Sequence, residues 1–377
     1  MGFTERDERF MRTALALAEQ GRGWVEPNPV VGAVIVRDGR IVGEGAHCEF
    51  GGAHAELRAL AQARDLARGA TLYVTLEPCA HQGKTPPCAP QVAEAGIQRL
   101  VAATVDPTDK TRGKGMALCR EAGMTVEAGL CREEAIRQNA AFFKRAAVGR
   151  PLVVAKWAMS ADGRIATRSG DSNWISCENA RALVHVLRGQ VDCIAVGDGT
   201  VNADNPLLTS RARPLPRVAA RLVVCGGEGV PLDCRLVSTA SEAPVLLAYP
   251  DGMPPEGLEG LLQMGCTPLP LPATQERADR LDLAAMLDEL GRREMSALLV
   301  EGGGGLLGAF FDARLVDRVM IFVAPTIMGG SGAVCPVAGR GVAEVRNAPR
   351  ILNWSWRSVE DDALIEGWLV DPLEWAP

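Results

Sequence analysis

Basic charge, aromatic side chains and long apolar runs are all scarce in this chain of 377 residues. Lysine and arginine number 40 against 46 acidic residues, a net charge of −6. Without a basic excess there is no electrostatic footprint for a nucleic-acid backbone. Aromatics are 5% of the residues, too few for the stacking platforms that hold single strands. No apolar run approaches the length of a membrane span. The start, Met1-Gly2-Phe3-Thr4-Glu5-Arg6-Asp7, is charged and lacks an apolar signal core. No repeat relates the two halves, and neither holds a low-complexity tract. The 11 cysteines are odd in number and scattered, which suits reduced thiols in a cytoplasm better than a disulfide framework. A soluble cytoplasmic protein is therefore expected. Its 47% apolar and 23% charged residues agree with a globular fold, and its length suits two domains of ordinary size.

One group of residues stands out against these absences: His54-Ala55-Glu56, with Pro78-Cys79 and Pro87-Cys88. One imidazole, two thiols and a spare carboxylate are the ingredients of a catalytic zinc site. Three protein ligands leave the fourth position open for water, whose pKa bound zinc lowers to roughly 7. Glu56 is close enough in sequence to reach that water without ligating the metal. An H-x-E followed by P-C and a second cysteine is the plan of zinc nucleobase deaminases, with the Glu moving protons. Their usual second half is P-C-x-x-C, whereas eight residues separate Cys79 from Cys88 here.

The surrounding pattern places these groups on elements. Apolar side chains at helical spacing predict a helix from Glu8 to Gln20. Pro27-Asn28-Pro29 is a rigid turn, and Val30 to Val42 around Asp38-Gly39 reads as a β-hairpin. As a turn residue Asn28 needs no further role; as a substrate contact its amide would read a heterocycle edge. A helix opens at His54, placing His54 and Glu56 in its first turn, where the helix dipole favours negative charge. Leu72 to Leu76 is a buried-type strand ending at Cys79. Pro86-Pro87-Cys88 starts the next helix. Ile97–Val105 and Thr125–Leu130 read as strands, Gly115–Glu121 and Glu133–Ala147 as helices. His81 is not counted as a ligand, because three ligands already complete a catalytic set.

The segment Pro78-Cys79-Ala80-His81-Gln82-Gly83-Lys84-Thr85-Pro86-Pro87-Cys88 resembles the signature of the riboflavin-pathway pyrimidine deaminases, which carry this long cysteine spacing. The resemblance implies a cytidine-deaminase-like three-layer α/β domain. It implies that His54, Cys79 and Cys88 hold one zinc per chain, and that Glu56 is the proton shuttle. Asn28, His47 and Lys84 match family substrate contacts. Where members often have Asp-Pro-Asn, this chain has Asp106-Pro107-Thr108, a hydroxyl in place of an amide.

Gly149-Arg150-Pro151 interrupts the chain before a new strand, Leu152 to Lys156, and the domain boundary is placed there: 1–149 and 150–377. Lys156 to Ala166 reads as a strand, a polar turn and a second strand. A strand, a glycine-rich turn and a helix recur at Leu298 to Leu307. Gly303, Gly305 and Gly308 fit G-x-G-x-x-G, but no acidic residue follows at the Rossmann distance. A tight turn with close helix packing explains those glycines equally well. Trp354, Trp356 and Trp368 alternate with polar residues, as in a closing strand pair, and read as core or subunit interface. Residues 231–290 show no clear pattern.

These segments resemble the reductase fused to that deaminase in riboflavin biosynthesis, a dihydrofolate-reductase-like domain that uses NADPH. The likeness rests on Ser160 to Arg164, Asp171 to Ile175, Thr200 to Thr209, Val300 to Gly303 and Ala324 to Gly330. It implies that Ser172, Arg188, Asp204, Leu207, Arg211 and Glu301 face the substrate. Ala158, Trp174, Thr200 and the loop Gly303, Gly304, Gly305, Leu306, Leu307, Gly308 and Ala309 would face the coenzyme, with Lys156 as a catalytic-site cation. After Leu222-Val223-Val224, members commonly carry an Asp and a small polar residue, where this chain has Cys225-Gly226-Gly227. The expected protein is a bifunctional enzyme that deaminates a diaminopyrimidinone ribosyl phosphate with zinc and then reduces its ribosyl side chain with NADPH. Its substrate is a small molecule, it binds neither nucleic acid nor membrane, and it forms a homo-oligomer. The rival readings are a nucleic-acid deaminase, which the acidic balance disfavours, and a structural zinc protein, which would normally complete four ligands.

Overall fold

In the computed structural model, which describes residues 2–212 and 217–377, the chain divides into two units. One is Met1–Gly149 with Pro372–Pro377, the other Arg150–Asp371.

The first unit opens with α1 (Glu5–Ala18), closed by a capping box in which Thr4 and Asp7 exchange hydrogen bonds. The same Asp7 carboxylate accepts from the Tyr73 hydroxyl at 2.6 Å and the Arg99 guanidinium at 2.5 Å. One buried carboxylate thus ties the helix to two strands of the sheet. The predicted hairpin is present as β1 (Gly32–Arg37) and β2 (Arg40–Ala46). Its turn residues Asp38 and Gly39 both take positive φ, 50° and 74°, as a two-residue hairpin turn requires. There follow α2 (Ala55–Ala63), β3 (Thr71–Val74), α3 (Cys88–Glu94), β4 (Arg99–Ala102), α4 (Lys114–Glu121), β5 (Thr125–Ala128), α5 (Arg132–Gln138) and α6 (Ala140–Val148).

The strands lie in the order β2-β1-β3-β4-β5, antiparallel at β1 and parallel from β3 to β5. Strand alternation sends Ala33 and Ile35 to one face, against α2, α3 and α4. Val34 and Val36 face the other way, against α1 and α5. The three-layer expectation therefore holds. The single helix expected over 133–147 does not, because the chain breaks at Asn139. That side chain donates to the Val30 carbonyl and accepts from the Val30 N–H, both at 2.9 Å. A distant backbone pairs with the Asn139 amide, and its φ of −108° ends the helix.

The second unit holds β6 (Leu152–Ser160), α7 (Glu178–Arg188), β7 (Cys193–Gly197), α8 (Asp198–Asp204), β8 (Ala220–Val224), α9 (Arg235–Ser238), β9 (Val245–Pro250), α10 (Leu258–Gln263), β10 (Thr267–Leu271), α11 (Leu283–Arg292), β11 (Ala297–Val300), α12 (Gly304–Asp312), β12 (Arg318–Ala324), β13 (Leu352–Val359) and β14 (Asp362–Trp368). Its sheet order is β10-β9-β8-β7-β11-β6-β12-β14-β13. The strands run parallel from β10 to β12, and a terminal antiparallel hairpin closes the sheet. The core gathers inward residues of the parallel strands with Met286, Leu287 and Leu290 of α11 and Leu307 and Phe310 of α12. The second strand expected near Ala166 is reduced to an isolated bridge with Val334. Asp204 is the last residue of α8. Trp368 is buried, whereas Trp354 and Trp356 are 59% and 64% exposed. Among the described residues no helix is long and apolar enough to cross a membrane.

Candidate functional site

In the first unit the elements deliver the motif residues to one point. His54 is the N-cap of α2, in extended conformation. Cys79 follows the end of β3, and Cys88 is the first residue of α3, after the N-cap Pro87. His54 Nδ1 lies 3.5 Å from Cys79 Sγ and 3.2 Å from Cys88 Sγ. The Cys88 N–H donates to Cys79 Sγ at 3.3 Å. All three ligand atoms lie within 4.8 Å of one another. His54 Nε2 lies 3.4 Å from the Thr85 hydroxyl, which orients the ring from its far side. Hydrogen bonding from Cys88, with His54 beside it, pulls the Cys79 thiol down to about 4. Glu56 is 3% exposed, and burial pushes its carboxyl up to about 7.

Of the residues expected to contact substrate, His47 adjoins this cluster and Asn28 pairs with His47. Asn28 Nδ2 lies 3.2 Å from His47 Nε2, and His47 Nδ1 lies 3.2 Å from the Ala53 carbonyl. The carbonyl assigns the proton to Nδ1, leaving Nε2 to accept from the Asn28 amide. Burial lowers the His47 pKa, which favours this neutral form. The His47 and His54 rings meet edge to face with centroids 5.1 Å apart. Lys84 Nζ sits 3.9 Å above the Phe50 ring, a cation–π contact at the rim. The Thr108 hydroxyl and N–H both donate to Asp106, at 2.6 and 2.7 Å, so this side chain is committed to its own turn. His81 contacts Thr111 at 3.2 Å and stays out of the cluster.

Sequence reasoning missed Glu77. Its buried carboxylate accepts the backbone N–H groups of Asp106, Gly113, Gly115 and Met116. It thereby ties the loop carrying Cys79 to the start of α4. An acidic residue between a buried strand and Pro-Cys was the available signal. Phe50 was also missed, and nothing in its sequence context marks it.

The second unit has a cavity of about 680 Å³ at the carboxyl ends of its parallel strands, where α/β sheets bind ligands. Ser172, Thr200, Asp204, Gly303–Leu306 and Ala309 line it. The Ser172 hydroxyl donates to Asp204 at 2.9 Å, and the Gly303 N–H donates to the Thr200 hydroxyl at 2.9 Å. Leu307 instead lies in the core, and a β-carbon on Gly308 would overlap the Ala338 carbonyl. Part of the glycine loop therefore serves close packing.

Arg188 grips Glu301 with two bonds, at 2.7 and 2.9 Å, and Lys156 Nζ lies 3.6 Å from the same carboxylate. Burial pushes Glu301 up, but the charges of Arg188 and Lys156 outweigh it and hold the carboxyl at about 2. Burial lowers the Lys156 ammonium. The His185 ring and Arg188 both meet the Thr209 carbonyl, and the Arg211 N–H donates to His185. Trp174 is 72% exposed, with the Arg181 guanidinium 4.7 Å from its ring. The cavity wall also includes Glu228, next to the Cys225-Gly226-Gly227 departure, and Arg280, from the stretch 231–290 where the sequence carries no readable pattern.

Fold and sites together define the class: a deaminase of the zinc nucleobase type joined to a reductase on a mostly parallel sheet. Comparison with known proteins agrees. Residues 4–104 match the cytidine and deoxycytidylate deaminase zinc-binding region, and residues 151–365 match the RibD C-terminal domain. The chain is 40% identical to riboflavin biosynthesis protein RibD of Actinobacillus pleuropneumoniae, over 98% of this chain and 97% of that one. The solved structure of Acinetobacter baumannii RibD superposes with a TM-score of 0.83 at 31% identity, covering 97% of this chain and 99% of that one. The diaminohydroxyphosphoribosylaminopyrimidine deaminase/5-amino-6-(5-phosphoribosylamino)uracil reductase of Thermotoga maritima superposes with a TM-score of 0.82 at 33% identity, over 96% and 98% of the two chains. The chain belongs to the RibD family, the bifunctional deaminases and reductases of riboflavin biosynthesis.

Proposed function

We propose that the first unit deaminates 2,5-diamino-6-ribosylamino-4(3H)-pyrimidinone 5′-phosphate with one zinc, and that the second reduces the product's ribosyl chain to ribityl with NADPH. The observation that carries this reading is the convergence of His54, Cys79 and Cys88 beside a buried Glu56 outside their set. Two thiols and an imidazole suit zinc, and three ligands suit a catalytic site. When bound there, zinc supplies Lewis acidity and a water of lowered pKa. Glu56 takes a proton from the attacking water and passes it to the exocyclic nitrogen, which leaves as ammonia. Asn28 and His47 present an amide and an imidazole edge to the ring. Lys84, on the loop between the cysteines, meets the phosphate or a ring oxygen.

The cavity of the second unit fits a nicotinamide dinucleotide. Nothing lies within 4 Å of a β-carbon built on Gly305, so the start of α12 is open to a pyrophosphate. Thr200, Trp174 and Ala158 belong to the coenzyme side. That coenzyme supplies hydride to the sugar carbon attached to nitrogen. Ser172, Asp204 and Leu207 hold the sugar, and Arg211 and Arg188 favour its phosphate. Lys156, held against Glu301, is positioned to deliver the proton that accompanies the hydride. Exposed Trp354 and Trp356 on the edge strand β13 support a homo-oligomer, which light scattering reads directly.

The test supplies the diaminopyrimidine ribosyl phosphate with and without NADPH and weighs the products. Without NADPH an amine is replaced by oxygen; with it, two hydrogens are added as well. An unchanged mass without NADPH would remove the deaminase assignment.

A further inference from the structure

We infer that His185 is a positioning residue of the reductase: its ring takes the backbone N–H of Arg211 and so fixes where that arginine stands to meet the phosphate of the pyrimidine ribosyl phosphate. The inference rests on the phosphate role proposed for Arg211.

It begins with how the segment after α8, residues 205–211, is held. Leu208 within it is buried and takes a φ of 53°, a conformation that a side chain of its size keeps only where the surroundings hold it. On one side the fully buried Arg221 donates to the Leu207 carbonyl at 3.3 Å, and the Asn205 side chain accepts the Arg235 N–H at 2.7 Å. On the other side the last turn of α7 takes the rest. The Ser210 hydroxyl donates to the His185 carbonyl at 2.5 Å and accepts the Ala212 N–H at 3.2 Å. The Arg211 N–H donates to His185 Nδ1 at 3.3 Å.

His185 Nδ1 has a second neighbour, the Thr209 carbonyl, at 3.2 Å. One ring nitrogen cannot donate to a carbonyl and accept from an N–H at once. The Thr209 carbonyl has another donor, Arg188 Nη1 at 3.5 Å, whereas among the described residues the Arg211 N–H has no other acceptor. A neutral ring with its proton on Nε2 therefore satisfies both backbone groups. Burial, and then the charges of Arg188 and Arg211, lower the His185 pKa against the opposing Thr209 carbonyl and Glu301, which favours this neutral form.

The two arginines beside His185 divide the work. Arg188 has Nε and Nη2 on Glu301 and turns Nη1 to Thr209, so it contributes charge from a committed position. Arg211 is exposed, and among the described residues no hydrogen bond or ion pair engages its guanidinium. A phosphate is met by an open guanidinium fork, and Arg211 offers one. An arginine on an untethered loop loses backbone freedom when it binds. Bonding its N–H to a helix removes part of that cost in advance, and His185 is the side chain that does so.

The test measures reduction of the deaminated pyrimidine ribosyl phosphate by the full-length protein, and of the same compound after removal of its phosphate. For the phosphate-bearing substrate, His185→Phe, which keeps a ring but has no acceptor, should raise KM at least about tenfold with kcat within about twofold. For the dephosphorylated compound, the wild type and this variant should agree in kcat/KM within about twofold. His185→Asn, whose amide oxygen falls near the place of Nδ1, should recover most of the lost KM. His185→Leu stands in should the phenylalanine variant not fold. Where the wild type prefers the phosphate-bearing substrate, an unchanged KM in the variant, or an equal loss on both compounds, overturns the inference and leaves the phosphate role of Arg211 standing. A wild type that reduces both compounds equally well overturns that role and the inference together.

Discussion

Glu56 and Glu301 are both buried carboxylates, and their neighbours assign them opposite work. Glu56 lies beside the cluster that could hold a metal, and among the described residues no cation is paired to it by a hydrogen bond, which supports the proton-transfer role proposed for it. Glu56→Gln should keep roughly one zinc per chain by metal analysis while deamination falls by about 10²–10⁴-fold. Loss of zinc in that variant would make Glu56 a ligand. Glu301 is clamped by Arg188 and Lys156, which hold its pKa at about 2 against an ordinary 4.5. Its folded pKa is depressed, so its stabilisation is fully present above pH 4.5 and is lost as pH falls toward 2. A shift of this size corresponds to up to about 3 kcal/mol. Acid titration of the second unit, followed by near-UV dichroism, should therefore show a loss of stability in this window that Glu301→Gln lacks. An unaltered acid profile in the variant would mean that the clamp contributes nothing to folding.

At the scale of elements, α4 and the loop bearing Cys79 act as one piece. Glu77 caps backbone groups at the start of α4, and a β-carbon on Gly115 would overlap the Pro78 carbonyl. The helix touches the residue next to a metal ligand because Gly115 has no side chain. Gly115→Ala should cost about 1–3 kcal/mol by overpacking. It should also speed zinc loss to a chelator, with the reductase rate unchanged. Normal zinc retention at reduced stability would show that α4 supports the fold and not the ligand loop. The break between α5 and α6 has the same kind of origin. Periodicity over residues 133–147 supports one helix, and Asn139 ends it because its amide satisfies the distant Val30 backbone. Helical spacing reports which faces are apolar, not which backbone groups elsewhere need a partner.

At the scale of the whole molecule, the chain returns at its end to the unit where it began. Pro372–Pro377 belong with the first unit. Trp375 is 8% exposed, and Lys144 of α6 lies 5.7 Å from its ring. The Arg132 guanidinium donates to the Pro377 carbonyl at 2.8 Å. Trp375→Ala should therefore lower the stability of the deaminase unit by about 3 kcal/mol and leave the reductase rate intact. A residue 150–371 fragment should reduce the deaminated intermediate without those last residues. Loss of reduction in the point variant, or an inactive folded fragment, would show that the two activities are not separable along this division.

The sequence by itself determined what local order and chemistry can carry. The grouping of His54, Cys79 and Cys88 was legible because a set able to hold a metal needs fixed residue types next to helix starts and strand ends. The hairpin at Asp38-Gly39 and the α/β alternation were legible because backbone conformation and burial leave periodic marks. Tertiary structure alone decided the rest. Glu77 and Asn139 draw their meaning from partners 29 to 109 residues away. The terminal Trp375 likewise takes its place from α5 and α6. A buried carboxylate or amide is defined by the backbone groups it must satisfy, and those groups meet only when the chain has folded.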